Sequence, residues 1–145
     1  MTNTQSDAER RTLEGSCLCG AVRYRITGPI LTFQYCHCSR CRKFTGSGHA
    51  ANLFVRPEDL EWLRGEDSLG SYQLQAEPGF STAFCKSCGC SMPNMATSGN
   101  FWVVPAGALD DDPGMKPAHN IFWGSRAPWF LDTSSLPLHE EWPSD

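Results

Sequence analysis

The sequence predicts a small, single-domain, all-β protein organised around zinc, and three observations carry that prediction. Short runs of alternating apolar and polar residues recur along the chain, Gly, Pro, Ser and Asp interrupt them, and eight cysteines fall into three tight groups. At 145 residues the chain is long enough to bury one hydrophobic core and too short to divide comfortably into two.

Taken in order, residues 1–13 are polar, lack apolar periodicity and are expected to form a fraying tail. The zinc-binding β domain is expected over 14–136 and a second tail over 137–145. Ala21 to Thr27 alternates, with Val22, Tyr24 and Ile26 on one face and Arg23, Arg25 and Thr27 on the other, as a half-buried strand requires. Gly28-Pro29 ends it. Leu31, Phe33 and Tyr35 repeat the pattern and lead into Cys36-His37-Cys38, which predicts a strand delivering the central cysteines at its end. Ala51 to Val55 is a further predicted strand, and Arg56 to Leu60 a turn or one-turn helix stopped by Gly65. Short strands are also predicted over Leu69 to Leu74, Phe80 to Phe84, Asn100 to Val104 and Ile121 to Trp123, with Ala106 to Pro117 as a surface loop.

The formal charge of −4 argues against a surface built to neutralise a phosphate backbone, so no nucleic-acid partner is expected. No stretch approaches the roughly 20 apolar residues that cross a bilayer, and Met1 to Arg11 has no apolar signal core. The expectation is a cytoplasmic protein that does not engage a membrane. Thiols stay reduced there, so eight cysteines point to metal rather than to a disulfide framework.

A closed zinc site takes four thiolate or imidazole ligands. Cys85-Lys86-Ser87-Cys88-Gly89 has the spacing of a zinc knuckle, with Gly89 free to take the positive φ that aims backbone amides at the thiolates. Cys17 and Cys19, two apart between Gly15 and Gly20, are expected to face one side of an extended segment and to supply the other pair. The central run Cys36-His37-Cys38-Ser39-Arg40-Cys41 holds three cysteines, and three protein ligands with one open position is the arrangement of a catalytic zinc. In an extended Cys-His-Cys segment His37 points away from both sulfurs, so it is read as an orienting group and not as a fourth ligand. Arg40, Arg42 and Lys43 offset the charge of a zinc trithiolate and can attract an anionic substrate.

Alternatives stay open. The same seven cysteines could hold two structural ions, with His37 or His49 completing the central site. Cys90 is left out of both groups as a small buried residue or spare thiol. Arg126 and Ala127-Pro128-Trp129-Phe130 could line a pocket, but aromatic residues in a small β domain more often fill its core. His49, His119 and His139 each have an ordinary surface or core explanation.

With Gly15-Ser16-Cys17-Leu18-Cys19-Gly20-Ala21-Val22-Arg23-Tyr24, Cys36-His37-Cys38-Ser39-Arg40-Cys41-Arg42-Lys43 and Phe84-Cys85-Lys86-Ser87-Cys88-Gly89, the sequence resembles the glutathione-dependent formaldehyde-activating enzyme family. Order, spacing and flanking residues agree over about residues 13–130; centromere protein V belongs to the same superfamily. The resemblance implies a β-tent zinc-binding fold, a structural zinc on Cys17, Cys19, Cys85 and Cys88, and a catalytic zinc on Cys36, Cys38 and Cys41. It also implies carbon-sulfur lyase chemistry, in which glutathione adds to formaldehyde to give S-(hydroxymethyl)glutathione. A non-catalytic zinc module for a protein partner is the competing expectation.

Overall fold

The computed structural model describes residues 11–143, so positions 1–10 and 144–145 of the two expected tails lie outside the described residues. Its strands are β1 (Thr12–Ser16), β2 (Arg23–Thr27), β3 (Ile30–Cys36), β4 (Ala50–Val55), β5 (Leu60–Arg64), β6 (Leu69–Leu74), β7 (Phe80–Cys85), β8 (Ser91–Met92), β9 (Asn94–Met95), β10 (Trp102–Pro105) and β11 (His119–Ile121). One α-helix among the described residues, α1 (Ser39–Thr45), interrupts them between β3 and β4. The fold is mostly β, as the alternating runs predicted.

Three sheets result, in the orders β1-β2-β5, β11-β3-β4-β10-β9 and β6-β7-β8. Neighbours are antiparallel except β11 and β3, which run parallel with Asn120 opposite Tyr35 and Ile121 opposite Cys36. One core joins the sheets: Val22 just before β2, Tyr24 and Ile26 of β2, Leu53 and Val55 of β4, Cys85 of β7, Met92 of β8 and Val104 of β10 all belong to it. Burying each large aliphatic side chain is worth about 1.5–3 kcal/mol, so this shared cluster outweighs any single strand's own preference.

Several expectations are corrected. β1 begins at Thr12, inside the stretch assigned to the tail, because Leu13 pairs with Ile26 and is buried in the core. In β3 the register against β4 shifts between Ile30 and Thr32, which breaks the alternation and leaves Leu31 exposed while Phe33 is buried. The expected turn over Arg56 to Leu60 forms as the 3-10 segment Pro57–Asp59, but it ends before Leu60 and not at Gly65, and Leu60–Arg64 forms the strand β5 that was not expected. Trp62 packs edge-on against Tyr24 and Trp102, which draws that segment into a sheet. The last strand lies earlier than expected, at His119–Ile121, because Phe122 adopts a left-handed φ of 55° and turns the chain.

Ala106 to Pro117 is largely irregular, as expected, but it is tied down. Asp110 accepts a hydrogen bond from Ser16 Oγ at 2.8 Å, and Asp111 accepts one from the Glu14 N–H at 2.7 Å. These bonds hold the loop along β1, next to the first cysteine pair.

Candidate metal and active site

Cys17 follows β1 and Cys19 sits within the turn to β2. The expectation of an extended segment fails here, and the reason is distance. Alternate side chains of a strand are about 6.6 Å apart, whereas the tetrahedral edge between two thiolates on one zinc is about 3.8 Å. The turn, closed by the Gly20 N–H on the Cys17 carbonyl at 3.0 Å, brings the two sulfurs to 3.6 Å. Cys19 Sγ lies 3.8 Å from Cys85 Sγ, at the end of β7. Gly89 has φ 76° and donates to the Cys85 carbonyl at 2.7 Å, so the knuckle turn forms as its sequence predicted.

The sulfurs of Cys17, Cys19, Cys85 and Cys88 all lie within 4.8 Å of one another, a cluster that can hold a metal ion. Backbone amides favour thiolates there. The amides of Cys90 and Cys19 hold the Cys88 thiol down to about 6. Burial opposes ionisation of Cys17, but the Val22 N–H, 3.2 Å from its sulfur, and neighbouring thiols bring its value down overall. The cluster joins the β1–β2 turn of one sheet to the β7–β8 turn of another.

The second cluster, Cys36, Cys38 and Cys41, also keeps its sulfurs within 4.8 Å. Its geometry is local. Cys36 ends β3, Cys38 caps α1 by accepting a hydrogen bond from the Cys41 N–H at 3.3 Å, and Cys41 lies in the first turn of the helix. Gly46 then stops α1 in the left-handed conformation. The Cys41 thiol donates to Cys36 and holds it down to about 6; the same bond and burial push Cys41 up. Three sulfurs, one already poised as thiolate, suit a soft or borderline cation with one position left over.

His37 stands apart from both clusters, as its place in the run predicted. It is fully buried, with Nε2 3.0 Å from Asn120 Oδ1 and Nδ1 without a partner among the described residues. Its ring packs against His49, Trp123 and Phe130. His49 stacks on Tyr35 and, like His119 and His139, joins neither cluster. Cys90 also stays outside, half-buried, with its sulfur 3.6 Å from the Ser91 carbonyl. Arg126 lies over the Trp123 ring at 4.4 Å, and with Gly124, Ala127, Pro128 and Phe130 it borders a second cleft whose lining includes no cysteine.

Cys36, Cys38 and Cys41 open onto a cavity of about 590 Å³; the four-cysteine cluster does not. Its walls come from β3, β4, α1, β7, β8 and the 94–105 segment, so no local motif could announce it. Asn120 was missed for the same reason, since only the β3–β11 pairing brings it to His37.

Fold and sites together define a small β protein with two cysteine clusters able to hold metal ions. A family model described as glutathione-dependent formaldehyde-activating enzyme matches residues 12–125. The chain belongs to the glutathione-dependent formaldehyde-activating enzyme family. It is 36% identical over 111 residues to the Halomonas elongata protein named "Putative glutathione-dependent formaldehyde-activating enzyme", covering 72% of this chain and 70% of that one. It also resembles the crystal structure of a Rhodobacter sphaeroides protein, with a TM-score of 0.58 and 26% identity over 74% of this chain and 98% of the other.

Proposed function

We propose that the protein is a zinc-dependent carbon-sulfur lyase that adds a thiol such as glutathione to formaldehyde or a related small electrophile. In this reading Cys17, Cys19, Cys85 and Cys88 hold a structural zinc, and Cys36, Cys38 and Cys41 a catalytic one. The observation that carries it is that the three-cysteine cluster, one ligand short of a tetrahedron, opens onto the cavity while the four-cysteine cluster does not. Sulfur separations of 3.6 and 3.8 Å in the closed cluster match the edge a zinc tetrahedron requires.

A zinc ion at the open cluster supplies Lewis acidity and lowers the pKa of a thiol brought to it. The chain's own residues do the rest. Among the described residues, Arg40, Arg42, Lys43 and Arg126 have no carboxylate partner, so their charge is available to an anionic thiol. His37, held by Asn120 and walled by rings, fixes the backbone between Cys36 and Cys38 and so orients both sulfurs. The cavity beside the three sulfurs gives the two reactants a common place, so the sulfur-to-carbonyl approach becomes a matter of position.

No helix among the described residues is long and apolar enough to cross a membrane. All eight cysteines are free, which suits the reducing cytoplasm proposed as its location.

The test is zinc content together with S-(hydroxymethyl)glutathione formation followed by NMR. Wild type is expected to hold two zinc ions and turn over. Cys41→Ser is expected to hold one, keep its far-ultraviolet circular dichroism and lose activity. A fully active, zinc-depleted Cys41→Ser protein would overturn the reading.

A further inference from the structure

The cavity beside the three sulfurs measures about 590 Å³, a size that encloses drug-sized ligands. Formaldehyde offers a single carbon and a single oxygen to fill it. Phe80, Met92 and the stacked pair Phe54 and Phe101, with ring centres 4.2 Å apart, form much of its wall. The lining also carries hydroxyls and amides, but several are already engaged; Asn94 Nδ2 donates to both Ser81 oxygens at 2.9 Å.

Apart from the cluster sulfurs, Arg40 is the one charged side chain among the described lining residues, and its guanidinium is bonded to the Pro78 carbonyl and lies 6.0 Å from the Phe80 ring centre. Glutathione carries two carboxylates and an ammonium, and burying such groups without partners is strongly disfavoured. Partners exist outside the cavity. Arg42, which donates to the carbonyl of the lining residue Ser125 at 2.9 Å, and exposed Lys43 have no carboxylate partner among the described residues. The thiol's charged ends therefore belong at this rim, and the interior is left to the electrophile.

We infer that the cavity holds the apolar body of an aldehyde larger than formaldehyde, alkyl of medium chain length or aromatic, with its carbonyl at Cys36, Cys38 and Cys41. The inference rests on the thiol-addition reading above and narrows its substrate. The thiol sulfur bonds to the carbonyl carbon, the C=O π bond opens, and the thiol proton ends on oxygen. The product is a hemithioacetal, and no oxidant or reductant is consumed.

Straight-chain aldehydes from ethanal to hexanal have similar intrinsic reactivity, so their kcat/KM with glutathione reads the cavity directly. Each added methylene buried is expected to raise kcat/KM about fourfold. Ala96→Phe, which places a ring in the cavity, is expected to flatten the series. Calorimetry with hexanol, an unreactive analogue, gives an independent readout on the zinc-loaded wild type. A flat or falling wild-type series with no hexanol binding would overturn the inference, and formaldehyde turnover in the same experiment would leave the thiol-addition reading standing. Hexanol binding that Ala96→Phe weakens, with no aldehyde turned over, would sink thiol addition and keep the apolar occupant. Failure of both readouts, formaldehyde included, overturns both.

Discussion

Tyr24 is fully buried with its hydroxyl unpartnered among the described residues, and burial pushes its phenol further from ionising. A buried unsatisfied hydroxyl costs about 1–3 kcal/mol. Tyr24→Phe is therefore expected to raise stability by about 1 kcal/mol, read as a higher urea midpoint at unchanged slope; a lower midpoint would mean the hydroxyl has found a partner in solution. The Cys36 thiol belongs to the open cluster, and its ionisation bears on metal binding. Its value in the fold is depressed to about 6, so the thiolate is present at neutral pH and is lost as pH falls through that value. Since a proton and a metal compete for the same sulfur, the affinity of the central site is expected to fall as pH drops below about 6. Zinc titration against a competing chelator at a series of pH values checks it, and an affinity unchanged from about pH 7 to about pH 5 would refute it. Gly89 was legible at this scale, because a knuckle turn needs its positive φ whatever surrounds it.

Among the elements, α1 escaped the sequence reading. It spans only seven residues, Ser39–Thr45, too short for apolar periodicity to show. Its signals were Cys38 as an unusual cap and Gly46 as the stop. Because Gly46 sits at φ 65° with open space around it, Gly46→Ala is expected to cost about 1 kcal/mol through backbone strain alone. Chemical denaturation with metal content measured in parallel tests this, and an unchanged midpoint would contradict it. β4 carries more. Leu53, fully buried in the strand paired with both β3 and β10, is expected to lose about 3 kcal/mol on Leu53→Ala. β5 was visible in principle, since Leu60 and Trp62 alternate, but Pro57-Glu58-Asp59 just before them is a strong helix-start signal.

For the molecule as a whole, the two clusters differ in what they connect. The closed cluster bonds turns 66 residues apart, at Cys19 and Cys85, whereas the open one lies within a stretch from Cys36 to Cys41. A cross-link between distant segments removes far more freedom from the unfolded chain than a local one. Cys85→Ser is accordingly expected to lower Tm by about 10 °C or more, and Cys41→Ser by less than about 5 °C. Equal losses, measured by differential scanning calorimetry on zinc-loaded proteins, would show that the clusters do not divide structure from chemistry.

Sequence alone determined the all-β class and the three tight groups of cysteines, because ligand spacing and strand alternation are local properties of the chain. It did not determine how Cys17 and Cys19 converge, since a turn and a strand put the same two residues at different separations. Nor could it show the cavity. Phe54, Phe80, Met92 and Phe101 meet there only because three sheets share one core, and the contact between residues so far apart in the chain is decided by packing, which no local pattern encodes.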